Sequence, residues 1–316
     1  MNYFSRVKIS AADKIWVQEK AQSLGFQSCK MARAGKLEEE ARYLEHWLNQ
    51  QQHGKMQYME NHFDKRVDPT LLLPGAQTVI SLSYNYFTKN TQQDTEAPKI
   101  ALYALGKDYH KVVKDKLFLL VQHLQQRFGD FAFKCCVDSV PILEKAWAKR
   151  SGLGWIGKHT NLLTKGSGSY FFLAELICDL SFDPDIPVKD YCGSCTRCID
   201  ACPTQAIVKP YSLDASRCIS YATIELKEAD WPESFHGKTA NWMFGCDICQ
   251  QVCPINARSQ PHNDPDLQPN PDLLTMSKQD WDNLNETTFD TLFSKSAVQR
   301  TGYKGLTRNI QLTKIK

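Results

Sequence analysis

Two short cysteine-rich runs in the second half of the chain decide how it can fold. The first reads CGSCTRCIDACP, from Cys192 to Pro203, and the second reads CDICQQVCP, from Cys246 to Pro254. Cys218 lies between them, so eight of the twelve cysteines fall within residues 192–253. So many cysteines in a short segment are typical of a region that binds metal. This region is therefore predicted to fold around metal centres held by its cysteines.

The spacing of the first run, C-x2-C-x2-C-x3-C-P, is that of bacterial ferredoxins with two [4Fe–4S] clusters. Eight thiolates are the number that two such clusters need. Structural zinc sites pair two C-x2-C knuckles without a third cysteine in register, so zinc fits this pattern less well. Disulfides would imply a secreted chain, and nothing in the sequence supports export. The sequence predicts two [4Fe–4S] clusters and a protein that moves electrons.

The spacing also predicts which cysteines share a cluster. Three thiolates at C-x2-C-x2-C spacing can wrap one corner of a cubic cluster, whereas the fourth, before proline, is turned toward the other cluster. We expect one cluster on Cys192, Cys195, Cys198 and Cys253. We expect the other on Cys202, Cys218, Cys246 and Cys249. The cysteines outside the runs are predicted to be small buried hydrophobes: Cys29, Cys135, Cys136 and Cys178.

Composition and charge are those of an ordinary soluble globular protein. Of the 316 residues 42% are hydrophobic and 23% charged, and the formal charge of +3 is too small to indicate nucleic-acid binding by itself. The N-terminus has no apolar leader and no twin arginine, and the apolar runs are too short to span a bilayer. We expect a cytoplasmic monomer without membrane contact, in a compartment where thiolates stay reduced.

Three regions are predicted along the chain. Residues 1–187 have alternating strand and helix patterns, which favour an α/β (α+β) domain. Residues 188–258 form the ferredoxin-like unit, and residues 259–316 form a loop followed by a basic helical segment. Within the first region we expect helices at Asp13–Leu24, Leu37–Met59, Asp108–Arg127 and Asp138–Arg150. We expect strands at Thr78–Tyr86, Lys99–Ala104 and Phe131–Val137.

Further motifs, together with the cysteine runs, resemble the epoxyqueuosine reductases. They are VDSVP (Val137–Pro141) with Glu144 and Ala148, GLGWIGK (Gly152–Lys158), YALGKDYH (Tyr103–His110), CISYATIE (Cys218–Glu225) and, near the end, FSKSAVQR (Phe293–Arg300) with GLTRN (Gly305–Asn309). The motifs follow the family's order and cover essentially the whole chain. The resemblance implies a nitroreductase- or reductive-dehalogenase-like core.

The resemblance also implies an activity and its cofactors. Members of the family remove the epoxide oxygen from epoxyqueuosine at the wobble position of tRNA, the last step of queuosine biosynthesis. They use cobalamin besides the two clusters, with electrons from an external low-potential donor. Many members continue into a HEAT-like helical segment, so residues 259–316 resemble a truncated form of it, and the tail Ile310–Lys316 departs from the usual alanine-leucine helix.

Asp138 is the candidate general acid, from the family pattern and from its context. It follows a predicted strand, and Val137 and Val140 could desolvate its carboxyl and raise its pKa. The alternative is that Asp138 caps the helix that follows, a role that Ser139 could fill instead.

Cobalamin contacts are carried over from the family only. Lys158 and Asn161 follow the loop that approaches the corrin in the family, and Ser220 and Asp247 lie next to cluster cysteines. The last two could equally form hydrogen bonds around a cluster. Residues Asp108–Val113 do not match the cobalamin motif Asp-x-His-x-x-Gly, because valine stands where the motif has glycine. This fits a base-off cofactor without a protein histidine on cobalt. His110 is interpreted as a residue at a helix N-terminus.

Basic residues are the candidate tRNA contacts. They could follow phosphates, although charged helix faces are more often simply solvated: Lys145, Lys149, Arg150, Lys158, Lys165, Arg300, Lys304 and Arg308. Two other functions remain open on the residues alone. One is reductive dehalogenation of a small organohalide, and the other is a ferredoxin-type electron carrier with an added α/β domain.

Overall fold

The structure is a computed structural model that describes residues 9–227 and 231–315. Its strands are β1 (Ser28–Arg33), β2 (Thr78–Asn85), β3 (Lys99–Ile100), β4 (Phe133–Cys136), β5 (Trp155–Ile156), β6 (Leu162–Leu163), β7 (Phe171–Cys178), β8 (Ile207–Lys209), β9 (Ser212–Leu213) and β10 (Trp242–Phe244). Its α-helices are α1 (Ala11–Ser23), α2 (Glu38–Asn49), α3 (Phe63–Val67), α4 (Tyr109–Phe128), α5 (Glu144–Arg150), α6 (Arg197–Asp200), α7 (Ile219–Ile224), α8 (Ile248–Gln251), α9 (Pro271–Thr275), α10 (Lys278–Asp282), α11 (Glu286–Phe293) and α12 (Gly302–Thr313).

A four-stranded sheet in the order β1-β2-β7-β4 forms the centre of the molecule, and all its neighbouring strands are antiparallel. The longest pairing joins β2 to β7 in unbroken register from Thr78 opposite Cys178 to Asn85 opposite Phe171. Both strands are buried almost throughout, because helices cover the two faces of the sheet. The mixed helix and sheet architecture confirms the predicted fold class, in its α+β form.

Side-chain alternation along the strands separates two cores. Ile80 and Leu82 of β2 and Leu176 of β7 pack with α1 and α4 on one face of the sheet. Val79 and Ile177 point the other way and pack with α5, whose Trp147 is fully buried. Any residue of β7 in phase with Ile177 therefore lies beneath α5.

The C-terminal helices do not form a separate core. Their apolar side chains, among them Trp281, Phe293 and Leu306, pack in one cluster with Ile100 of β3 and Phe244 of β10. Strand β3 also pairs in parallel with β10 across the cysteine-rich region. The domain boundaries predicted at residues 187 and 258 remain predictions, and the packing shows that apolar contacts cross the second of them.

Several predicted elements differ from the structure. The helix predicted from Asp138 begins only at Glu144, because Asp138 has a left-handed φ of 56° that no helix can include. Asp138 and Ser139 are therefore not its cap. The helix predicted to Met59 ends at Asn49, and the strand predicted over 99–104 ends at Ile100 and continues as a 3-10 turn.

Other predictions are confirmed. Asp108 caps α4 by accepting a hydrogen bond from the backbone N–H of His110. The four cysteines outside the runs are all buried. Among the described residues, no helix combines the length and apolar composition needed to cross a bilayer.

Asn309 ties α12 to the cysteine-rich region. It is fully buried, and its Nδ2 donates to the carbonyl oxygens of Thr223 and Met243, each at 2.8 Å. We expect Asn309→Ala to lower the free energy of unfolding by about 2 kcal/mol, because the two carbonyls are left without these donors. Urea denaturation measures the change. Gln311→Ala, on the exposed side of the same helix, is the control, and equal unfolding midpoints for the two variants would contradict the assignment.

Candidate active site and metal centres

The thiols of the second predicted set share one cavity of about 450 Å³. Cys202 follows α6, Cys218 precedes α7, and Cys246 and Cys249 lie at the start of α8. Residues far apart in sequence thus meet because these short helices fold back on one another.

The thiols of the first predicted set line a second, smaller cavity of about 60 Å³, where Cys253 joins Cys192, Cys195 and Cys198. In the described part of the chain, no three metal-ligating side chains stand close enough together for a single ion. A [4Fe–4S] cluster requires a wider arrangement, because each thiolate binds a different iron, whereas the thiolates of a zinc site share one ion. The structure brings together the two sets that the spacing predicts.

The remaining walls of the large cavity are mixed in polarity. Apolar walls come from Met56, Phe171, Leu173 and Ile224. The predicted residues Asn161, Ser220 and Asp247 all line the cavity, together with Thr160 and Lys145. A flat ligand with apolar faces and a polar edge would find partners of both kinds here.

Asp247 is the most buried of the predicted polar residues in this cavity. Its side chain accepts a hydrogen bond from the backbone N–H of Leu102 at 2.8 Å. Burial raises the pKa of Asp247 to about 7, which the Leu102 contact offsets only in part. Asp247 thereby holds the segment after β3 against the cysteine-rich region.

Lys158 lies at the smaller cavity. Its ammonium is buried and donates to the carbonyl oxygens of Gly193 at 2.6 Å and Cys195 at 2.9 Å. It lines the smaller cavity and not the large one. The Lys158 ammonium thus binds carbonyl oxygens of the first cysteine loop, and its contact with cobalamin or tRNA phosphates stays a prediction.

Asp138 is held by two residues from the start of α4. The Tyr109 hydroxyl donates to Asp138 Oδ2 at 2.5 Å, and His110 Nε2 lies 3.2 Å from the same oxygen. The other ring nitrogen of His110, Nδ1, lies 2.7 Å from Asp108 Oδ1. The Tyr109 ring stacks between His110 and Phe172, with ring centroids 4.1 Å from each. Packing thus fixes both groups that contact the candidate acid.

These contacts reverse the expected pKa shift of Asp138. Burial raises the pKa, but hydrogen bonds from His110 and Tyr109 together with the positive charges of His110 and Arg300 lower it, and the net pKa is below the ordinary value. The side chain remains half exposed, at 50%. Burial lowers the pKa of His110, but its bonds to Asp108 and Asp138 outweigh burial and raise it to about 9. At neutral pH the pair is a carboxylate with an imidazolium.

The Asp138 group adjoins the large cavity. Tyr109 contacts the ring of Tyr103, whose side chain lines the cavity, at 6.0 Å between centroids. From the other side, the backbone N–H of Asp138 donates to Glu144 Oε1 at 2.6 Å, and the next residue, Lys145, lines the cavity wall. The acid therefore stands beside the space that the cysteines face.

Sequence reasoning missed Tyr109, Glu144 and the second role of His110. His110 is at a helix N-terminus as interpreted, but it also contacts Asp138 across 28 positions of sequence. The one indication in the sequence was that both segments, YALGKDYH and VDSVP, belong to the motifs shared with the same family. Nothing in their spacing shows that the two segments touch.

The basic residues predicted for tRNA divide into two groups. Lys149, Arg150, Lys165 and Lys304 are exposed. Lys145 and Arg300 are exposed as well but have contacts within the chain: Lys145 Nζ donates to the carbonyl of Thr160 at 3.0 Å, and Arg300 pairs with Glu225 at 2.7 Å. Arg308 donates to Asn309 Oδ1 and to the carbonyl of Leu226, so its guanidinium is committed to packing α12. The contact of Arg308 with tRNA stays a prediction.

Known proteins are similar to this chain in sequence and in fold. Residues 66–139 match the family profile described as epoxyqueuosine reductase QueG, and residues 191–256 match a 4Fe-4S double cluster binding domain. An epoxyqueuosine reductase of Cellulophaga algicola is 54% identical over 94% of this chain and 97% of that protein. The chain belongs to the epoxyqueuosine reductase family. Another epoxyqueuosine reductase, from Xanthomonas campestris, is 41% identical over 92% of this chain and 83% of that protein.

Solved structures of epoxyqueuosine reductases superpose on this fold. One, determined with an epoxyqueuosine-modified tRNA stem loop, has a TM-score of 0.88 at 33% identity and covers 95% of this chain and 80% of that one. Another, from Bacillus subtilis, has a TM-score of 0.86 at 32% identity over the same shares of the two chains, and its catalytic aspartate loop is swung out of the active site. The chain is a reductase with the fold of this family.

Single cysteine substitutions test the division of ligands. We expect Cys198→Ala and Cys253→Ala to remove the same cluster and Cys202→Ala and Cys218→Ala to remove the other, each with about half the iron lost. Electron paramagnetic resonance of the anaerobically reduced protein distinguishes the clusters. Cys178 is buried and lies outside the two cysteine runs, so Cys178→Ala should keep both clusters. A Cys253→Ala spectrum that matched Cys218→Ala would contradict the division.

The titration of His110 tests the electrostatics around Asp138. We expect its imidazole to titrate near pH 9 and Asp138→Asn to lower that pKa, since one of two neighbouring carboxylates loses its charge. Histidine NMR measures the titration, and His110→Gln assigns the signal. An unchanged titration in Asp138→Asn would show that the two side chains do not interact.

Proposed function

We propose that this chain reduces epoxyqueuosine to queuosine in the anticodon loop of tRNA, using a cobalamin reduced through two [4Fe–4S] clusters. One observation carries the proposal. A single cavity has four cluster cysteines on one wall and Asp138, with its proton-donating neighbours, beside another. Electrons and protons can therefore reach one substrate from different sides.

The large cavity fits the chemistry of a corrin. Phe171 and Leu173 offer apolar contacts to the faces of a macrocycle, and Asn161 and Ser220 offer hydrogen-bonding groups to the amides at its rim. When bound, cobalamin supplies a two-electron nucleophile that reacts at carbon.

The two cysteine sets have different places in electron delivery. The set of Cys202, Cys218, Cys246 and Cys249 lines the substrate cavity, so its cluster would be the last carrier. The set of Cys192, Cys195, Cys198 and Cys253 lies beside exposed Tyr191 and Arg197, so an external low-potential donor would deliver electrons there. Each cluster passes one electron at a time, so two deliveries are needed for each epoxide.

The leaving oxygen needs a proton, and Asp138 is the candidate to deliver it. Its carboxylate is bonded to the imidazolium of His110, so a proton can reach it across one hydrogen bond. Tyr109 donates to the same oxygen and fixes its direction. Positioned proton donors of this kind contribute roughly two to four orders of magnitude in rate.

The tRNA would be held near the cavity by exposed basic residues. Lys149 and Arg150 lie at the end of α5, and Lys165 lies on the loop after β6. Arg300 stands near Asp138 but is bonded to Glu225, so we assign it to the cavity mouth and not to phosphates. Phosphate contacts position a nucleic acid, whereas an unpaired wobble base is read within a pocket. A cytoplasmic location agrees with this substrate.

Turnover with modified tRNA tests the proposal. The protein, with reconstituted clusters, cobalamin and a strong reductant, is incubated anaerobically with tRNA that carries epoxyqueuosine, and nucleosides are analysed by mass spectrometry. We expect a product lighter by one oxygen that is absent without cobalamin. Asp138→Ala should lower the rate by about 100-fold or more.

The matched control is Asp115→Ala, an exposed acid on α4 that pairs only with Lys111 in the described structure. It should turn over like the wild type. Failure to bind a corrin, judged by the absence of its absorption band beside the brown cluster absorbance, would favour an electron carrier. A bound corrin with unchanged tRNA but activity on an organohalide would favour the dehalogenase alternative.

A further inference from the structure

A fully buried carboxylic acid lies beneath the Asp138 loop and has no place in the mechanism so far. Glu175 is on β7, in phase with Ile177, so its side chain lies on the face of the sheet that α5 covers. It is 0% exposed, and neither carboxyl oxygen receives a hydrogen bond from an N–H or hydroxyl donor in the described residues. An isolated carboxylate in such a place would be very unfavourable. Glu175 therefore carries a proton.

The acidic neighbour of Glu175 is Glu144, the first residue of α5, the helix that covers this face of the sheet. Two neighbouring buried carboxyl groups cannot both ionise without a large electrostatic cost, so one of them keeps its proton. Burial and the charge of Asp138 raise the pKa of Glu144 to about 8, and burial and Glu144 raise the pKa of Glu175 well above its ordinary value. At neutral pH this pair holds at least one proton.

Few other charged groups face the pair. On the sheet, Cys136 of β4 and Ser81 of β2 are the cross-strand neighbours of Glu175. On the side of Glu144, the charges are those of Asp138, of His110 at the start of α4 and of Lys145 on α5. The two cations lower the pKa of Glu144, but burial and Asp138 outweigh them.

Glu144 also contacts the candidate acid directly. The backbone N–H of Asp138 donates to Glu144 Oε1 at 2.6 Å, while Asp138 has the left-handed φ that non-glycine residues adopt at a cost. The pair therefore stands one hydrogen bond from the loop that bears the acid.

The proton count of the reaction gives the pair a role. When the epoxide C–O bonds break, two electrons arrive from the external donor through the clusters, and the oxygen leaves as water with two protons. Asp138 rests as a carboxylate and has no proton of its own to give. One proton can come from the imidazolium of His110, and the second needs another source once tRNA covers the cavity.

We propose that Glu144 and Glu175 form a buried proton reserve that reloads Asp138 within each turnover. One glutamate of the pair gives up its proton, the carboxylate of Asp138 takes it, and the pair regains a proton from solvent after the product leaves. This role rests on the proposed function, because it assumes a reaction that consumes two protons at Asp138.

Two isosteric variants separate a proton reserve from a merely structural contact. Glu144→Gln keeps an oxygen that can accept from the Asp138 N–H, and Glu175→Gln keeps a neutral side chain of the same size, but neither amide can release a proton. We expect each variant to lower kcat about tenfold or more, with the KM for tRNA unchanged. Ser81→Ala, which alters the sheet neighbour of Glu175, is the control and should keep the wild-type kcat.

Infrared spectroscopy of the cluster-loaded protein provides a readout that needs no tRNA. We expect the band of a protonated buried carboxyl at pH 7, reduced in Glu175→Gln and in Glu144→Gln and weakened as the pH rises through about 8. Absence of that band in the wild type, or wild-type kcat in both glutamine variants, would overturn the reserve. A wild-type protein that shows the band and binds the corrin but leaves tRNA unchanged would instead overturn the proposed function, and the role in turnover with it.

Discussion

The hydrogen-bonded pairing of β2 with β7 is the constraint on which the rest of the site depends. Phe171 and Leu173 of β7 form part of the cavity wall, Phe172 stacks on Tyr109, and Glu175 lies beneath the loop of Asp138. A shift of one residue in this register would move every one of these side chains to the opposite face of the sheet. The unbroken register over the whole strand therefore sets the positions of the cavity wall, the proton donors and the buried acid together.

In the proposed reaction, protons and electrons would approach the cavity through separate parts of the fold. The electron side consists of short helices that carry cysteines, and the proton side consists of the sheet, α4 and α5. Their contact is made by side chains such as Asp247, which holds the segment after β3, and Asn309, which holds α12 against β10. Both are buried and hydrogen-bonded to backbone groups, so they tie the cluster region to its surroundings at a fixed distance.

Several charged side chains that the sequence pattern assigned to ligands make contacts within the protein. Lys158 binds carbonyl oxygens beside the smaller cavity, and Arg308 holds Asn309 in place. Around Asp138 the balance is also internal, because His110 and Tyr109 together outweigh the effect of burial on its pKa. A carboxylate that rests deprotonated beside an imidazolium requires protons from its neighbours, and this connects Asp138 to the pair of Glu144 and Glu175.

The sequence by itself determined the cysteine sets, the family and the candidate acid. Cysteine spacing is local geometry, since three thiolates two residues apart can bind three irons of the same cluster, and the structure places each predicted set on one cavity. Only the tertiary structure decided the surroundings of Asp138. His110, Glu144 and Glu175 come from a helix N-terminus, a short helix and a central strand, and no sequence period links them. Their meeting depends on strand register and helix packing, which also decide whether a charged side chain faces solvent or a carbonyl.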